Sequence, residues 1–141
     1  MSTFLEQFSK SFTQINKDTL HALKSLYTTD VVFIDPLHQI NGLETLTGYF
    51  EQMYENIDTI TFMMHSHDEA NDSEGYLRWR MRFSHPRLNS GRIIEVEGCS
   101  HIRWVDNKVY YHRDYFDAGA MLYEQLPIMG RVIAWLKRRL A

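Results

Sequence analysis

The sequence has few of the residues and patterns that mark disulfide-stabilised, secreted or membrane proteins. Its 141 residues include one cysteine, Cys99, so an internal disulfide is excluded and a reducing compartment is favoured. No apolar run approaches the ~18 residues that a membrane-spanning helix needs. The N-terminal stretch MSTFLEQFSKSF carries charges where a signal peptide needs an apolar core. We therefore predict a soluble cytoplasmic protein.

Basic residues are not in excess either. The 15 lysines and arginines and the 18 aspartates and glutamates give a net charge of −3, which offers no cationic field for nucleic acid. Hydrophobic residues make up 44% of the chain and charged residues 23%, as in ordinary globular proteins. A chain of this length fits one domain, which we expect to span residues 1–141.

In the first half of the chain, the spacing of apolar residues predicts three helices and one strand. Leu20, Leu23 and Leu26 recur at three-residue intervals, which is typical of one helix face, and Asn16 or Asp18 is placed to cap that helix. A β-branched and aromatic run then favours a strand. The predicted elements are helices over 3–12, 17–27 and 43–56 and a strand over 30–35.

The predicted strand ends at Asp35, next to Pro36. Proline lacks a backbone donor and pushes the preceding residue toward an extended conformation, so the chain has to turn there. A short crossing over 37–40 leads to Asn41 and Gly42, a turn signal, before the next helix. This places a carboxylate at the end of a short strand, beside a helix that can cover it.

From residue 58 onward the apolar residues alternate with a period of two. Short turn sequences separate the alternating runs, so consecutive strands are expected to pair as an antiparallel meander. Glu95 and Glu97 are placed to pair with arginines on the preceding strand, and that charged face also suits a dimer contact. The predicted strands cover 59–69, 75–84, 92–105 and 108–117; on the second, Leu77, Trp79, Met81 and Phe83 form the apolar face and Tyr76, Arg78, Arg80 and Arg82 the polar one.

The chain ends in a basic amphipathic pattern, MGRVIAWLKRRLA, which predicts a helix over about 128–140. Val132, Trp135 and Leu136 contribute to an apolar stripe, and Lys137 and Arg138 lie where the helix dipole favours cations. We expect this helix to pack on its own domain. The alternative is association with an anionic membrane surface.

The order of these motifs resembles the nuclear transport factor 2-like superfamily, and within it the SnoaL-like and ketosteroid isomerase-like branch. In that branch a helix ending in tyrosine precedes a strand of the form D-x-x-x-x-D-P and a G-x-E segment. The matching residues here are Tyr27, Asp30, Asp35 with Pro36, and Gly42 with Glu44. The resemblance implies an α+β fold in which a cone-shaped, curved antiparallel sheet wraps around the N-terminal helices, with the C-terminal helix as an appendage. It also implies a homodimer.

The same resemblance implies a pocket for a hydrophobic small molecule. Asp35 corresponds to the general base of ketosteroid isomerase, and the last strand would point His112 and Asp114 into the same hollow as catalytic partners. Alternation places Tyr110 on that face as well. Burial of a carboxylate in such a hollow raises its pKa toward values useful at neutral pH. The expected ligand-binding residues are Tyr27, Phe50, Trp79, Met81, Phe83, Ser100, Trp104 and Phe116.

The chain also departs from the isomerase pattern. The oxyanion-hole tyrosine would fall near Ser11 and Phe12, and the protonated aspartate near Ser100, so that machinery is absent as such. Arg103 and Arg113 are expected to point outward, which disfavours the Asp-Arg-Asp set of limonene-type epoxide hydrolases. We therefore expect either a cofactor-independent isomerase or cyclase of a hydrophobic carbonyl compound, or a non-catalytic ligand-binding or protein-interaction module.

Structural roles explain several of the same residues. Asp35 before proline can cap a turn through its side chain, and His112 with Asp114 can be a mutually satisfied interior pair. His65 and His67 share a predicted strand face, but nothing brings His38 to them, so we expect no metal site. We also expect no cofactor.

Overall fold

The computed structural model describes residues 3–141 as an α+β fold with a curved six-stranded sheet that does not close into a barrel. The predicted fold class is confirmed. The helices are α1 (Phe4–Thr13), α2 (Leu23–Leu26), α3 (Leu43–Asn56), α4 (Ala118–Met121) and α5 (Pro127–Leu140), with single 3-10 turns at Leu20–Ala22, Asn89–Gly91 and Tyr123–Gln125. The strands are β1 (Tyr27–Ile34), β2 (Gln39–Asn41), β3 (Thr59–Asn71), β4 (Glu74–Ser84), β5 (Ile94–Val105) and β6 (Lys108–Phe116).

The strands are ordered β2-β1-β6-β5-β4-β3 across the sheet. Strands β3 to β6 form the predicted antiparallel meander; tight turns join β3 to β4 and β5 to β6, and a longer loop over 85–93 joins β4 to β5. Strand β1 pairs in parallel with β6 and antiparallel with β2. The first and last long strands therefore lie side by side, which brings the Asp35 turn next to the strand that carries His112 and Asp114.

The prediction of a long second helix over 17–27 is wrong. The Asn16 side chain accepts a hydrogen bond from the backbone N–H of Asp18 and closes a turn there, and only short helical segments follow. Tyr27 belongs to β1, because a run of β-branched residues extends the strand backward from the predicted start at residue 30.

The crossing predicted over 37–40 contains the short strand β2. Its register pairs Ile34 with Gln39 and Phe33 with Ile40, so the Asp35–Pro36 turn is the tip of a hairpin. Gly42 ends this strand with a φ of 92°, a conformation that side chains other than glycine rarely adopt. Its backbone N–H donates to the Val31 carbonyl at 2.8 Å, which fixes the start of α3.

The core lies between the inner face of the sheet and helices α1 and α3. Leu77 and Trp79 on β4 and Ile102 on β5 are buried, as the predicted alternation requires. Gly98 on β5 lies directly under the indole, since a Cβ atom there would come within 2.2 Å of the Trp79 ring. Glycine at this position lets the tryptophan lie flat across the neighbouring strand.

The outer face of the sheet carries the predicted ion pairs. Arg80 Nε lies 2.7 Å from Glu97, and Arg82 Nε lies 3.5 Å from Glu95. Glu74 accepts from Arg103 at 2.9 Å. These groups are largely exposed, so each pair contributes little to stability, typically about 0–1 kcal/mol.

Helix α5 does not pack into the domain, which corrects the expectation that its apolar stripe would be covered. None of its residues is buried. It contacts mainly the 3-10 turn before it, where Lys137 Nζ lies 2.6 Å from Glu124. Within residues 3–141, no helix is both long and apolar enough to cross a bilayer.

Candidate functional site

A cavity of about 270 Å³ lies between the inner face of the sheet and helices α1 and α3. Its walls are mostly aromatic and aliphatic, and its polar side chains are few. The volume is slightly below the usual range of ~300–1,000 Å³ for ligand pockets, so a compact ligand is the best fit. The aromatic lining includes Phe8, Phe12, Phe33, Phe50, Phe62 and Trp79.

The structure brings most of the sequence-predicted site residues to this cavity. Asp35, His112 and Asp114 line it, although they come from opposite ends of the chain. Six of the expected ligand-binding residues line it too: Phe50, Trp79, Met81, Phe83, Ser100 and Phe116. Their roles in binding or catalysis remain predictions.

Tyr27 and Trp104, which were predicted to bind ligand, are not among the lining residues. Trp104 lies at the far end of β5 and stacks on Phe4, with ring centroids 4.8 Å apart. Tyr27 is fully buried behind His112. Tyr27 therefore supports the cavity wall from behind, through its contact with His112.

A chain of hydrogen bonds joins the polar side chains on the sheet side of the cavity. Trp79 Nε1 donates to Ser100 Oγ at 2.8 Å, and Ser100 Oγ donates to Asp114 Oδ1 at 2.5 Å. His112 Nε2 lies 2.7 Å from the same carboxylate oxygen, and His112 Nδ1 lies 2.8 Å from the Tyr27 hydroxyl. The pair of His112 and Asp114 therefore has partners on both sides, and both of its members are held in place.

The carboxylate of Asp114 sets the direction of the hydrogen bonds along this chain, because it accepts and does not donate. Desolvation, followed by the nearby charge of Asp114, raises the pKa of the Tyr27 phenol well above its ordinary value. The phenol therefore stays protonated. In a neutral imidazole the ring proton lies on Nε2, which donates a hydrogen bond to Asp114, so Nδ1 accepts one from the Tyr27 hydroxyl. In this arrangement Oδ1 of Asp114 accepts two hydrogen bonds.

The second oxygen of Asp114 is different. The hydrogen bonds described for residues 3–141 engage only Oδ1 of this side chain. The side chain retains 17% exposure at the cavity wall. Oδ2 is thus the carboxylate oxygen with capacity to receive a proton or a ligand donor.

Asp35 uses both of its oxygens. Oδ1 accepts from the backbone N–H groups of Leu37 at 2.8 Å and His38 at 2.7 Å, and Oδ2 accepts from the Tyr49 hydroxyl at 3.1 Å. His38 Nδ1 also lies 3.3 Å from Oδ1. The turn-capping role is therefore realised. The same carboxylate also holds a tyrosine at the cavity wall.

The profile of the SnoaL-like domain family matches residues 8–112, which runs from α1 to His112 on the last strand. This chain belongs to the SnoaL-like domain family. Among curated proteins, none matches it by sequence.

Solved structures with the same fold are distant in sequence. A nuclear transport factor 2-like protein of unknown function from Burkholderia pseudomallei has a TM-score of 0.76 at 13% identity, over 90% of this chain and 99% of that chain. A candidate SnoaL-like polyketide cyclase from Shewanella denitrificans has a TM-score of 0.69 at 15% identity, over 85% and 95%. An LEH-like epoxide hydrolase from M. tuberculosis has a TM-score of 0.70 at 14% identity, over 95% and 96%. At these identities the similarity establishes the fold.

Sequence reasoning missed part of the cavity of this SnoaL-like domain. Tyr49 lines it and binds Asp35, and Coulomb repulsion from Asp35 and Asp114 adds to burial in raising the pKa of its phenol. Phe8 and Phe33 also line it. Phe50 belongs to the predicted apolar stripe of this helix, and Tyr49 is its neighbour in sequence. The signal available in the sequence was therefore an aromatic residue at the edge of that stripe.

The predicted orientation of Tyr110 is wrong. On β5, Arg103 and Trp104 are consecutive, whereas their partners on β6 are Tyr111 and Val109. The extra residue, Tyr110, is a bulge that moves its side chain out of the inner-face alternation, and it is 39% exposed. Beyond the bulge, His112 and Asp114 recover the inward orientation that was predicted.

Proposed function

We propose that this SnoaL-like domain binds a neutral hydrophobic small molecule in the cavity and acts on it as a cofactor-independent isomerase or cyclase of a carbonyl compound. Asp114 is the acid–base residue of this proposal. The observation that carries it is the carboxylate at the cavity wall: Oδ1 accepts from Ser100 and His112, and Oδ2 accepts no hydrogen bond from residues 3–141.

The proposed chemistry is proton transfer at a carbon next to a carbonyl. Asp114 Oδ2 would remove the proton, become a neutral carboxylic acid, and return the proton at a second position. Ser100 and His112 orient the carboxylate, and His112 offers the ligand no ring nitrogen, because both of its nitrogens are already hydrogen-bonded. His112 is thus a positioning residue, and Asp35 acts through Tyr49.

The oxygen of an enolate needs a hydrogen-bond donor. Tyr49 is our candidate, because its hydroxyl lies at the cavity wall and its 3.1 Å bond to Asp35 can be exchanged for one to the ligand. This assignment replaces the oxyanion-hole tyrosine that the first helix lacks. It changes the role of Asp35 from a base to an anchor for Tyr49.

The charge of the cavity supports a neutral ligand. Asp35 and Asp114 line it, and the lining residues described within 3–141 include no lysine or arginine. An anionic ligand would therefore meet two carboxylates without a lysine or arginine to pair with, which is unfavourable in a site of low dielectric. We expect Prodan, a neutral naphthyl ketone, to bind more tightly than the anionic naphthalene dye ANS.

Prodan also allows a test of the chemistry. Its fluorescence shifts to the blue in an apolar site, and the CH₂ next to its carbonyl can exchange with heavy water. We expect the protein to accelerate that exchange, and Asp114→Asn to lower the acceleration by about 10²–10⁴-fold. The matched control is Asp106→Asn, which makes the same chemical change in an exposed turn with a φ of 50° that asparagine tolerates. Failure of Prodan to bind at all would contradict the proposal.

A non-catalytic ligand-binding module is the second candidate. It is favoured because both oxygens of Asp35 and both ring nitrogens of His112 already bond protein groups. Of the three predicted catalytic residues, only Asp114 has an oxygen that accepts no hydrogen bond from residues 3–141. Prodan binding of similar strength in the wild type and Asp114→Asn, with no exchange above the uncatalysed rate, would select this candidate over the enzyme.

A further inference from the structure

Helix α5 presents an uncovered apolar face, and its orientation on the domain is specific. Six of its large apolar residues are between 43% and 87% exposed, while Ile133 is partly buried: the six are Ile128, Met129, Val132, Trp135, Leu136 and Leu140. At 100° per residue they fall on one side of the helix, and the opposite side carries Gly130 and Ala134. The helix therefore leaves its most hydrophobic side in solvent.

A small residue, Gly130, explains why this side of the helix faces the domain and the apolar side faces solvent. A Cβ atom on Gly130 would lie 2.7 Å from the Glu124 carbonyl oxygen, so the helix approaches the preceding turn at a position where only glycine fits. Lys137 binds Glu124 on the same side at 2.6 Å. The glycine contact and the ion pair together hold the apolar face away from the domain.

The charges of α5 point to the kind of surface it would cover. The helix contains four cationic residues, Arg131, Lys137, Arg138 and Arg139, and no acidic residue, in a chain whose net charge is −3. Arg139 also lies 5.3 Å from the ring centroid of Trp135, an aromatic and cationic pairing that suits the boundary between lipid headgroups and acyl chains. A second copy of α5 on this face would bring like charges together, which is unfavourable.

We propose that α5 lies in the plane of an anionic lipid surface, with its apolar face inserted and its three arginines directed toward the headgroups, while Lys137 keeps its ion pair with Glu124. This inference is independent of the function proposed for the cavity. It assigns the helix as a peripheral attachment that does not span the bilayer. A helix of this length is about 21 Å long and reaches only the interface of one leaflet.

The test uses the full chain and two kinds of vesicle, phosphatidylcholine alone and phosphatidylcholine with about one third phosphatidylglycerol. We expect co-sedimentation at least about tenfold stronger with the anionic vesicles, and weakened at ~0.5 M NaCl, where charges are screened beyond a few ångströms. Trp79 and Trp104 are buried, so a blue shift of tryptophan fluorescence on binding would come from Trp135.

Two exposed positions on opposite sides of α5 provide matched variants. Val132→Glu and Ala134→Glu introduce the same charge, but only the first places it on the apolar face. We expect Val132→Glu to abolish binding to anionic vesicles and Ala134→Glu to weaken it only modestly. Absence of wild-type binding would overturn the proposal, as would equal loss in both variants. A wild-type dimer in solution that Val132→Glu dissociates, without vesicle binding, would assign the face to a second copy instead.

Discussion

Removal of the Tyr27 hydroxyl would leave the Nδ1 atom of His112 without its hydrogen-bond donor inside the core. Tyr27 is fully buried and His112 is 3% exposed, so water cannot easily replace the lost partner. An unsatisfied buried polar group costs about 1–3 kcal/mol. For a chain of this size, Tyr27→Phe should therefore lower the melting temperature by roughly 2–4 °C for each kcal/mol lost.

The same substitution should change how stability depends on alkaline pH. Burial and the charge of Asp114 raise the pKa of Tyr27 in the folded protein, whereas in the unfolded chain the phenol titrates near pH ~10. Above that pH the unfolded chain loses a proton that the folded protein retains, so stability falls as pH rises. The loss from this one group is about 1.4 kcal/mol per pH unit, until the folded pKa is reached.

Urea unfolding at pH ~8 and pH ~11 separates the two effects. We expect the stability gap between wild type and Tyr27→Phe to shrink by about 1.4 kcal/mol at the higher pH, because the variant has no buried phenol to titrate. The control is Tyr115→Phe, which removes a half-exposed phenol and should follow the wild type within about 0.5 kcal/mol. A gap of the same size at both pH values would refute the raised pKa of the buried Tyr27 phenol.

Three further structural features give independent predictions. Gly98→Ala places a Cβ atom 2.2 Å from the Trp79 ring, so thermal and urea unfolding should show a loss of about 2–4 kcal/mol, together with weakened Prodan binding. Gly48→Ala, with nothing within 4 Å in the middle of α3, should instead gain about 0.5–1 kcal/mol. Hydrogen bonds from Arg103 and then His101 lower the pKa of Glu74 to about 2, so its contribution to stability should be present above the ordinary glutamate pKa and lost as pH falls toward 2. A carboxyl titration by NMR should show that midpoint, and Arg103→Gln should raise it.

The inner face of the sheet was predictable from the sequence wherever alternation is uninterrupted. Leu77, Trp79 and Phe83 on β4 and Ser100 and Ile102 on β5 point inward as the period of two requires, because one buried face fixes the register of a strand. The outward arginines and their glutamate partners followed from the same alternation.

The errors arise where local patterns do not carry tertiary information. The bulge at Tyr110 depends on how β6 pairs with β5, which no spacing within β6 reveals. Tyr27 ends a helical pattern but continues into a strand, since pairing with β6 outweighs its local preference. Phe33 and Tyr49 reach the cavity because β1 and α3 face each other across it. The spacing of residues within either element does not reveal that tertiary arrangement.

The most direct test of the central claim is a crystal structure of the protein with Prodan bound. We predict the naphthalene ring between Trp79 and the aromatic residues of α1 and α3, with the ketone near Tyr49 and the adjacent CH₂ facing Asp114 Oδ2. A cavity filled by repacked side chains, or Prodan bound only on the outer surface, would contradict the account.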